Sequence, residues 1–398
     1  MRIAIFTETF LPKVDGIVTR LRFTIAELQR QGDSVLVFAP GEGPTEYEGA
    51  QVVRMPGSRF PLYPELTLSF PSPSIRRRLV EFQPDVIHTA DPASLGIAAI
   101  YYADVLKLPL VVSYHTRLPK YLHYYGLGAL ELLTWKLMRL RHNKADVNLC
   151  TSTPMLEELR SHGIERVHLW PPAVDTELFH PRFSCPAMRA KLSCGYVEDP
   201  LFLYVGRLSP EKNIEHLRCI LEAIPRARLA VIGGGPHQPA LEQHFSRTRT
   251  AFIGYLNGQA LAEAMASADI LILPSQTETL GLVLIEAMAA GCVAVGARSG
   301  GIPDIVENGV NGFLFDPAQN GDLQRVVRRI VRQPELAAAV RLRARQQAEQ
   351  WSWAAATRQL KVFYGSAIDR PRGDKSVQPI WIKATKKTAI SFIKLVLP

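Results

Sequence analysis

The sequence predicts an α/β protein built from two doubly wound parallel sheets, one in each half of the chain. Short, β-branched apolar runs alternate with longer helical stretches, and this alternation occurs twice. The runs are almost continuously apolar, which is typical of strands buried on both faces of a parallel sheet. A proline-rich segment without periodicity, residues 171–194, separates the two halves. We therefore place a domain boundary near residue 180.

The candidate strands in the first half are Arg2–Phe6, Ser34–Ala39, Asp85–Thr89, Pro109–Tyr114, Asp146–Thr151 and Arg166–Trp170. Those in the second half are Leu201–Gly206, Arg228–Ile232, Ala251–Gly254, Asp269–Pro274 and Val293–Gly296. Helices are predicted between them, for example over Ile17–Gln31 and Asn213–Ala223. Ligands of such sheets bind beyond the carboxyl ends of the strands, so functional loops are expected directly after strands, in a cleft between the two sheets.

Composition narrows the function classes. The chain has 398 residues and a net charge of +9, but residues 371–398 carry six bases and one acid, so the body is only mildly basic. That distribution argues against a nucleic-acid-binding protein. We find no apolar run of about 18 residues and no signal peptide, and Met1 leads directly into a candidate strand. The five cysteines form no Cys-x-x-Cys pair, which favours a reducing cytosol over disulfides or zinc.

The loop after the first strand of the second half reads GRLSPEKN. Arg207 and Lys212 lie on either side of a proline turn that leads into a helix. Two cations beside unbonded backbone N–H groups suit a diphosphate. The alternative is an ordinary solvated turn.

The segment Pro274–Gly291, PSQTETLGLVLIEAMAAG, is the most informative part of the sequence. It places Glu278 in the loop after a strand, Gly281 at a helix start, and Glu286 inside an apolar run. A carboxylate there costs several kcal/mol, on the order of, unless it is bonded, and sugar hydroxyls are suitable donors. The N–H groups of Gly281, Leu282 and Val283 suit an anion.

Two glycine loops also follow strands. The loop VIGGGP contains Gly234 and lets the backbone approach a ligand or a neighbouring loop, although a plain turn is the default interpretation. The loop TETFLPKVDG ends at Gly16, where a helix start could press against a phosphate or where a surface loop could simply end.

His115 ends a strand in VVSYHTRLPKY and is followed by the tyrosine-rich stretch 121–125. A lone histidine is usually structural, but its position at a carboxyl strand end favours function. The chain has no Asp-x-Asp motif to hold a metal ion, so we expect no metal and no other cofactor, with fixed cations and helix N-termini supplying positive charge instead.

In combination, these motifs resemble glycosyltransferase family 4, which has the GT-B fold of two facing Rossmann-like domains around an interdomain cleft. The similar segments occur in the family's order over about residues 1–365: the Gly16 loop, SYHT, GRLSPEKN, VIGGGP, FIGYL, TETLGLVLIEAMAAG and WSW. The TETLG segment, where most relatives have Gly-Phe in place of Thr279-Leu280, and SYHT-x-LPKY-x-x-YGLG are most similar to the branch that transfers sulfoquinovose to diacylglycerol in cyanobacteria and plastids.

The resemblance implies a division of labour along the chain. Residues 1–180 are expected to bind the acceptor, residues 181–355 to bind the sugar nucleotide, residues 356–370 to form a crossover helix, and residues 371–398 to form a basic amphipathic tail. The family retains anomeric configuration without a metal. Because no carboxylate is obviously placed as a nucleophile, we favour a front-face mechanism in which the departing phosphate takes the acceptor proton.

The resemblance also implies residue roles. Arg207 and Lys212 would hold the diphosphate and stabilise the UDP leaving group. Glu286 would bond the ribose and Glu278 the hexose, while His115 would lie near the sugar's 6-position and the reaction centre. The remaining donor contacts are expected from the backbone amides of Leu280, Gly281, Leu282 and Val283 and from the base-facing residues Ile253 and Tyr255.

A sulfonated donor needs cationic partners, and Arg117 and Lys120 are candidates on charge alone. A diacylglycerol or other lipid acceptor requires a membrane surface, so we expect a cytoplasmic protein on the inner face of a plasma or thylakoid membrane. The tail is the favoured contact. For residues 133–144 we slightly prefer an amphipathic helix whose leucine face packs on its own sheet.

Three alternatives remain open at this point. One is a glucosyl- or mannosyltransferase that makes another glycolipid or a polysaccharide. Another is a UDP-sugar 2-epimerase, which shares the two-domain fold. The last is a non-catalytic UDP-sugar-binding module.

Overall fold

The computed structural model describes residues 1–13, 15–60, 63–69, 72–117, 119 and 128–370. Residues Met1–Ile368 form one compact unit. The predicted basic tail and Lys120 lie outside the described residues.

The first half of the described chain contains an eight-stranded sheet of spatial order β10-β9-β8-β7-β1-β2-β4-β3, parallel except for the β3–β4 pair. Its strands are β1 (Arg2–Thr7), β2 (Ser34–Pro40), β3 (Glu46–Tyr47), β4 (Ala50–Met55), β7 (Val86–Ala90), β8 (Leu110–Tyr114), β9 (Val147–Cys150) and β10 (Val167–Leu169). A separate hairpin joins β5 (Gly57–Phe60) to β6 (Tyr63–Ser69). All six strands predicted for this half are present, and β3–β6 were not predicted.

The described second half contains a fully parallel six-stranded sheet of order β13-β12-β11-β14-β15-β16. Its strands are β11 (Leu201–Val205), β12 (Arg228–Ile232), β13 (Thr250–Gly254), β14 (Ile270–Leu273), β15 (Val293–Ala297) and β16 (Phe313–Phe315). The five predicted strands are confirmed to within one or two residues, and β16 is additional.

Helices cover the faces of both sheets. Those of the first half are α1 (Gly16–Arg30), α2 (Pro73–Phe82), α3 (Ser94–Val105), α4 (Glu131–His142) and α5 (Thr153–Ser161). Those that follow are α6 (Pro186–Leu192), α7 (Arg218–Ala223), α8 (Gln238–His244), α9 (Gly258–Ser267), α10 (Leu282–Ala289), α11 (Asp322–Arg332), α12 (Pro334–Gln350) and α13 (Trp353–Ile368).

Local chemistry explains two helix boundaries. Helix α1 begins where predicted because Asp15 caps it, accepting a 2.9 Å hydrogen bond from the N–H of Val18. The helix predicted over Asn213–Ala223 is wrong in its first turn. Asn213 has a left-handed φ of 52°, so a 3₁₀ turn over Ile214–Leu217 comes first and α7 begins only at Arg218.

The last helix returns to the first sheet. Tyr364 and Leu360 of α13 join the apolar core formed by β1, β2 and α1. Lys361 pairs with the buried Asp33 at 2.6 Å, and Trp353 stacks on Phe23 with ring centroids 4.9 Å apart. The C-terminal helix of the described chain therefore contributes side chains to the interior of the first half.

Candidate functional site

Two strand-end loops of the second sheet lie backbone against backbone. The N–H of Gly206 donates to the carbonyl of Ile232 at 3.0 Å, and the N–H of Leu208 donates to the carbonyl of Gly234 at 3.0 Å. A Cβ atom on Gly233 would lie 1.9 Å from the carbonyl oxygen of Gly206. The VIGGGP glycines are thus needed where the two loops meet.

Within VIGGGP, Gly234 faces a different neighbour. A Cβ atom there would meet the ring of Tyr255 at 2.6 Å, and Tyr255 is 72% exposed. Ile253 lies nearby in the half-buried β13. The structure thus brings together Gly234 and Tyr255, two of the predicted donor-binding residues.

Lys212 and Glu278, which were predicted from separate motifs, form a polar contact. They follow β11 and β14, and the Lys212 Nζ lies 2.5 Å from Glu278 Oε1, with both side chains about one-sixth exposed. The loop after β15 holds the backbone of Glu278, because the N–H of Gly301 in that loop donates to the Glu278 carbonyl at 3.0 Å. A cation and a carboxylate are therefore held side by side at neighbouring strand ends, with Arg207 on the same loop as Lys212.

The N-terminus of α10 directly follows the loop that contains Glu278. Gly281 caps the helix with a left-handed φ of 87°, and no described side chain bonds the first N–H groups. A Cβ atom on Gly16 would lie 3.9 Å from Leu282, so the start of α1 faces the start of α10. Gly16 and Leu282 are thus neighbours across the two halves, Gly281 and Val283 adjoin Leu282 in the chain, and Leu280 is buried.

Glu286 lies one turn into α10 and is partly buried. No described residue donates a hydrogen bond to its carboxylate, and burial raises the pKa of Glu286 to about 8. The ligand-free protein therefore holds a carboxyl group that is mostly protonated at neutral pH. Donors from a ligand, such as sugar hydroxyls, would favour its ionised form.

On the first sheet, His115 is the end of a buried hydrogen-bond chain. Tyr364 Oη lies 2.8 Å from His88 Nδ1, His88 Nε2 lies 2.9 Å from Ser113 Oγ, and Ser113 Oγ lies 2.8 Å from His115 Nε2. Burial, with the nearby Arg20 charge, lowers the pKa of His88 to about 3 and the pKa of His115 well below its usual value. Both imidazoles are therefore neutral at physiological pH.

The number of protons in these four residues, together with their burial, favours one direction for the three hydrogen bonds. Each neutral imidazole and each hydroxyl has one proton to donate, and no described residue outside the chain accepts from Tyr364 Oη or Ser113 Oγ. Either direction of donation leaves one of the four protons without a described acceptor. If His115 donates to Ser113, Ser113 to His88 and His88 to Tyr364, that proton is on the Tyr364 hydroxyl, which is fully buried. The opposite direction, in which Tyr364 donates to His88, His88 to Ser113 and Ser113 to His115 Nε2, is therefore favoured. His115 then carries its own proton on Nδ1, which bonds no described residue. It is a neutral donor rather than a base.

Asp91 positions the same loop, and motif analysis did not identify it. Its Oδ1 accepts from the N–H of His115 at 2.6 Å, and its Oδ2 accepts from the Thr116 hydroxyl at 2.5 Å. Burial raises the pKa of Asp91 to about 6. Its place directly after β7 was a usable signal, because carboxyl strand ends hold functional side chains.

Arg117 is engaged within the first half. Its guanidinium forms a bidentate pair with Glu158 at 2.9 and 3.0 Å, and it is almost fully buried. The pair neutralises its charge. A sulfonate role for Arg117 stays a prediction, as does that of Lys120.

Helix α4 packs by a different face from the one expected. Trp135 and Met138 are buried, and Trp135 stacks on His162 at 3.7 Å between ring centroids. The leucines point outward, with Leu132 84% exposed and Leu140 56% exposed. The expectation that the leucine face packs on the sheet is wrong, because the larger apolar side chains fill that interface.

Membrane-spanning helices and metal-binding clusters were also sought among the residues that the structure describes. In the described ranges no helix is long and apolar enough to cross a bilayer. Nor do those ranges contain a group of three His, Cys, Asp or Glu side chains that could hold a metal ion.

The two parallel α/β sheets, with candidate loops at the carboxyl ends of their strands, have the GT-B fold. Residues 14–178 match the family described as Glycosyltransferase Family 4, and residues 195–347 match Glycosyl transferases group 1. The chain belongs to glycosyltransferase family 4 and is a retaining hexosyltransferase. This membership decides against an epimerase and a non-catalytic module.

Individual relatives agree with this assignment. The chain is 37% identical to the sulfoquinovosyl transferase SQD2 of Arabidopsis thaliana, over 92% of this chain and 74% of that protein. It is 34% identical to a GDP-mannose-dependent alpha-mannosyltransferase of Corynebacterium glutamicum, over 79% and 77%. The fold matches Anabaena Alr3699/HepE in complex with UDP and glucose, with a TM-score of 0.76 and 19% identity over 92% of this chain and all of that one.

Proposed function

We propose that this chain transfers sulfoquinovose from UDP-sulfoquinovose to diacylglycerol. The observation that carries the proposal is the 37% identity to a sulfoquinovosyl transferase across 92% of the chain. The second candidate is transfer of mannose or glucose to another acceptor. The 34% identity to a GDP-mannose-dependent enzyme favours that candidate, over a smaller share of the chain.

In the proposed complex, the donor diphosphate lies against the N-terminus of α10, with Arg207 and Lys212 as its cations. Backbone N–H groups and fixed cations stabilise phosphate negative charge without reorganising during the reaction. The contact between Lys212 and Glu278 supports placing the bond between phosphate and sugar beside this pair. The Lys212 ammonium then contacts the phosphate, and the Glu278 carboxylate accepts from a hexose hydroxyl. Glu286 accepts from the ribose hydroxyls.

The proposed chemistry is a front-face substitution. The bond between the anomeric carbon and the phosphate oxygen breaks, and the acceptor hydroxyl oxygen forms its bond to that carbon on the same face. The hydroxyl proton passes to the departing phosphate oxygen, so no separate base is needed. The protonation deduced for His115 supports this scheme, because a neutral imidazole with its proton on Nδ1 orients the sugar as a donor.

Helix α4 supports a lipid acceptor. Four leucines are exposed on it, and Lys136 and Arg139 are exposed among them. The exposed leucines are Leu132, Leu133, Leu137 and Leu140. Exposed apolar side chains interleaved with bases are typical of a helix that lies on an anionic membrane surface.

A donor panel tests the proposal. Purified protein is supplied with diacylglycerol vesicles and, separately, UDP-sulfoquinovose, UDP-glucose and GDP-mannose, and the lipid product is identified by mass. We expect a sulfonated glycolipid. A neutral hexosyl lipid, with no product from UDP-sulfoquinovose, would support the second candidate instead.

A further inference from the structure

A positive charge without a counter-ion is buried behind His115. Arg20, in the second turn of α1, is 2% exposed and its guanidinium lies 3.8 Å above the ring of Trp170. Its Nη2 donates to the carbonyls of Trp170 at 3.1 Å and Pro171 at 2.7 Å. Its Nε and Nη1 are buried without a partner, and no described carboxylate pairs with it. Arg117, by contrast, is neutralised by Glu158.

The indole of Trp170 contacts both the Arg20 guanidinium and His115, the residue predicted to lie near the reaction centre. The ring of Trp170 contacts His115 at 5.9 Å and His88 at 5.7 Å between centroids. Arg20 and both imidazoles therefore surround one side chain. Burial lowers the pKa of Arg20 to about 9, so it keeps its charge at neutral pH. The imidazoles are neutral and supply no compensating negative charge.

A buried cation that has two carbonyl acceptors and an indole ring but no counter-ion still raises the free energy of the protein. A negative group bound in front of His115 would offset that cost, and a neutral hydroxyl would not. The Nδ1–H of His115 adds a hydrogen-bond donor at the same place. The charge and hydrogen-bond donors around His115 therefore favour a negative group over a neutral one.

We propose that Arg20, Trp170 and His115 form a specificity site for a nucleotide-sugar donor whose 6-position carries an anionic group. This rests on the proposed function, in which that group is a sulfonate. Nε and Nη1 of Arg20 do not reach solvent, so Arg20 does not touch the donor. It acts as a positioning residue, because its positive charge attracts the anionic group electrostatically through Trp170 and His115. His115 is the residue that contacts the anionic group.

The test measures kcat/KM for UDP-sulfoquinovose and for UDP-glucose in the wild type, Arg20→Met and Arg20→Lys. We expect Arg20→Met to lower the ratio of the two constants by about tenfold or more, which corresponds to about 1.4 kcal/mol. Arg20→Lys keeps the charge, so it should keep most of the ratio even though the bonds to the Trp170 and Pro171 carbonyls are lost. A merely structural role would lower both constants in parallel, and an unchanged ratio in Arg20→Met would overturn the inference.

If Arg20→Met does not fold, the test is inhibition of the wild type by UDP-glucuronate, which carries a carboxylate at the 6-position. We expect it to inhibit several-fold more strongly than UDP-glucose, and weaker inhibition would overturn the inference. Use of UDP-glucose without any use of UDP-sulfoquinovose would overturn the proposed function and this inference together. A preference for UDP-sulfoquinovose that survives in Arg20→Met would overturn the inference alone.

Discussion

Replacing Glu286 by Gln should stabilise the ligand-free protein while weakening nucleotide binding. The pKa of Glu286 is about 8 in the folded protein and 4.5 for an ordinary glutamate. The folded state therefore holds this proton longer than the unfolded state, and the free energy of unfolding falls as pH rises from about 4.5 through about 8 and then levels off. Glutamine does not titrate, so the variant avoids this loss.

The difference between those two pKa values corresponds to at most about 5 kcal/mol. Because the side chain keeps some contact with solvent, we expect Glu286→Gln to gain about 2–4 kcal/mol above pH 8. At about pH 5 the gain should stay below about 1 kcal/mol, since the folded wild type is then protonated and the pH is only slightly above the unfolded-state pKa of 4.5. UDP affinity should fall by about tenfold, because an amide replaces the carboxylate that we propose accepts from the ribose hydroxyls.

Urea unfolding of both proteins without nucleotide, at about pH 5, 7 and 9, measures the gain, and titration calorimetry measures UDP affinity. Glu278→Gln is the matched control. It removes a carboxylate that pairs with Lys212, so it should destabilise the protein rather than stabilise it. A Glu286→Gln gain that is the same at all three pH values would refute the reasoning.

Three further predictions follow from the contacts. Tyr364→Phe removes the donor to His88 Nδ1 and should cost about 1–3 kcal/mol of stability. In histidine-labelled wild type, nitrogen NMR should show the His115 proton on Nδ1, with Nε2 also populated in the variant; a wild-type proton on Nε2 would contradict the orientation of the chain. Gly233→Ala should abolish UDP binding, because its Cβ would meet the Gly206 carbonyl oxygen at 1.9 Å. Gly234→Ala should weaken UDP binding much less, because its Cβ meets only the ring of Tyr255, which can move. Equal losses in the two variants would show that the loop contact is unimportant. Replacing Leu132, Leu133, Leu137 and Leu140 by Ser should weaken flotation with anionic vesicles at least severalfold without lowering stability, since these side chains are exposed; unchanged flotation would remove α4 from the membrane contact.

The buried strands could be predicted because short, almost continuously apolar runs are typical of strands that are buried on both faces of a parallel sheet. The strands that were missed lack that pattern. In β4, exposed Gln51 interrupts the buried positions, and β16 has only three residues, too few for periodicity to show. The helix predicted from Asn213 began late because backbone conformation at one residue is a local choice that periodicity does not report.

The position of a candidate side chain could be predicted where its loop directly follows a predicted strand. Lys212 and Glu278 are 66 residues apart, yet both follow neighbouring strands and meet. Arg20 was missed because an arginine on a helix is ordinarily a surface residue. The link between Tyr364 and His88 spans 276 residues and depends on α13 returning to the first sheet. No local motif encodes that return.

The central claim is that fixed cations and the N-terminus of α10 hold the donor diphosphate without a metal ion. Its most direct test is the rate of lipid glycosylation by protein treated with a chelator and then assayed in chelator, beside a Lys212→Met control. We expect full turnover of the wild type and a loss of at least about 100-fold, about 2.7 kcal/mol, in the variant. Turnover that disappears in chelator and returns only with magnesium or manganese would contradict it.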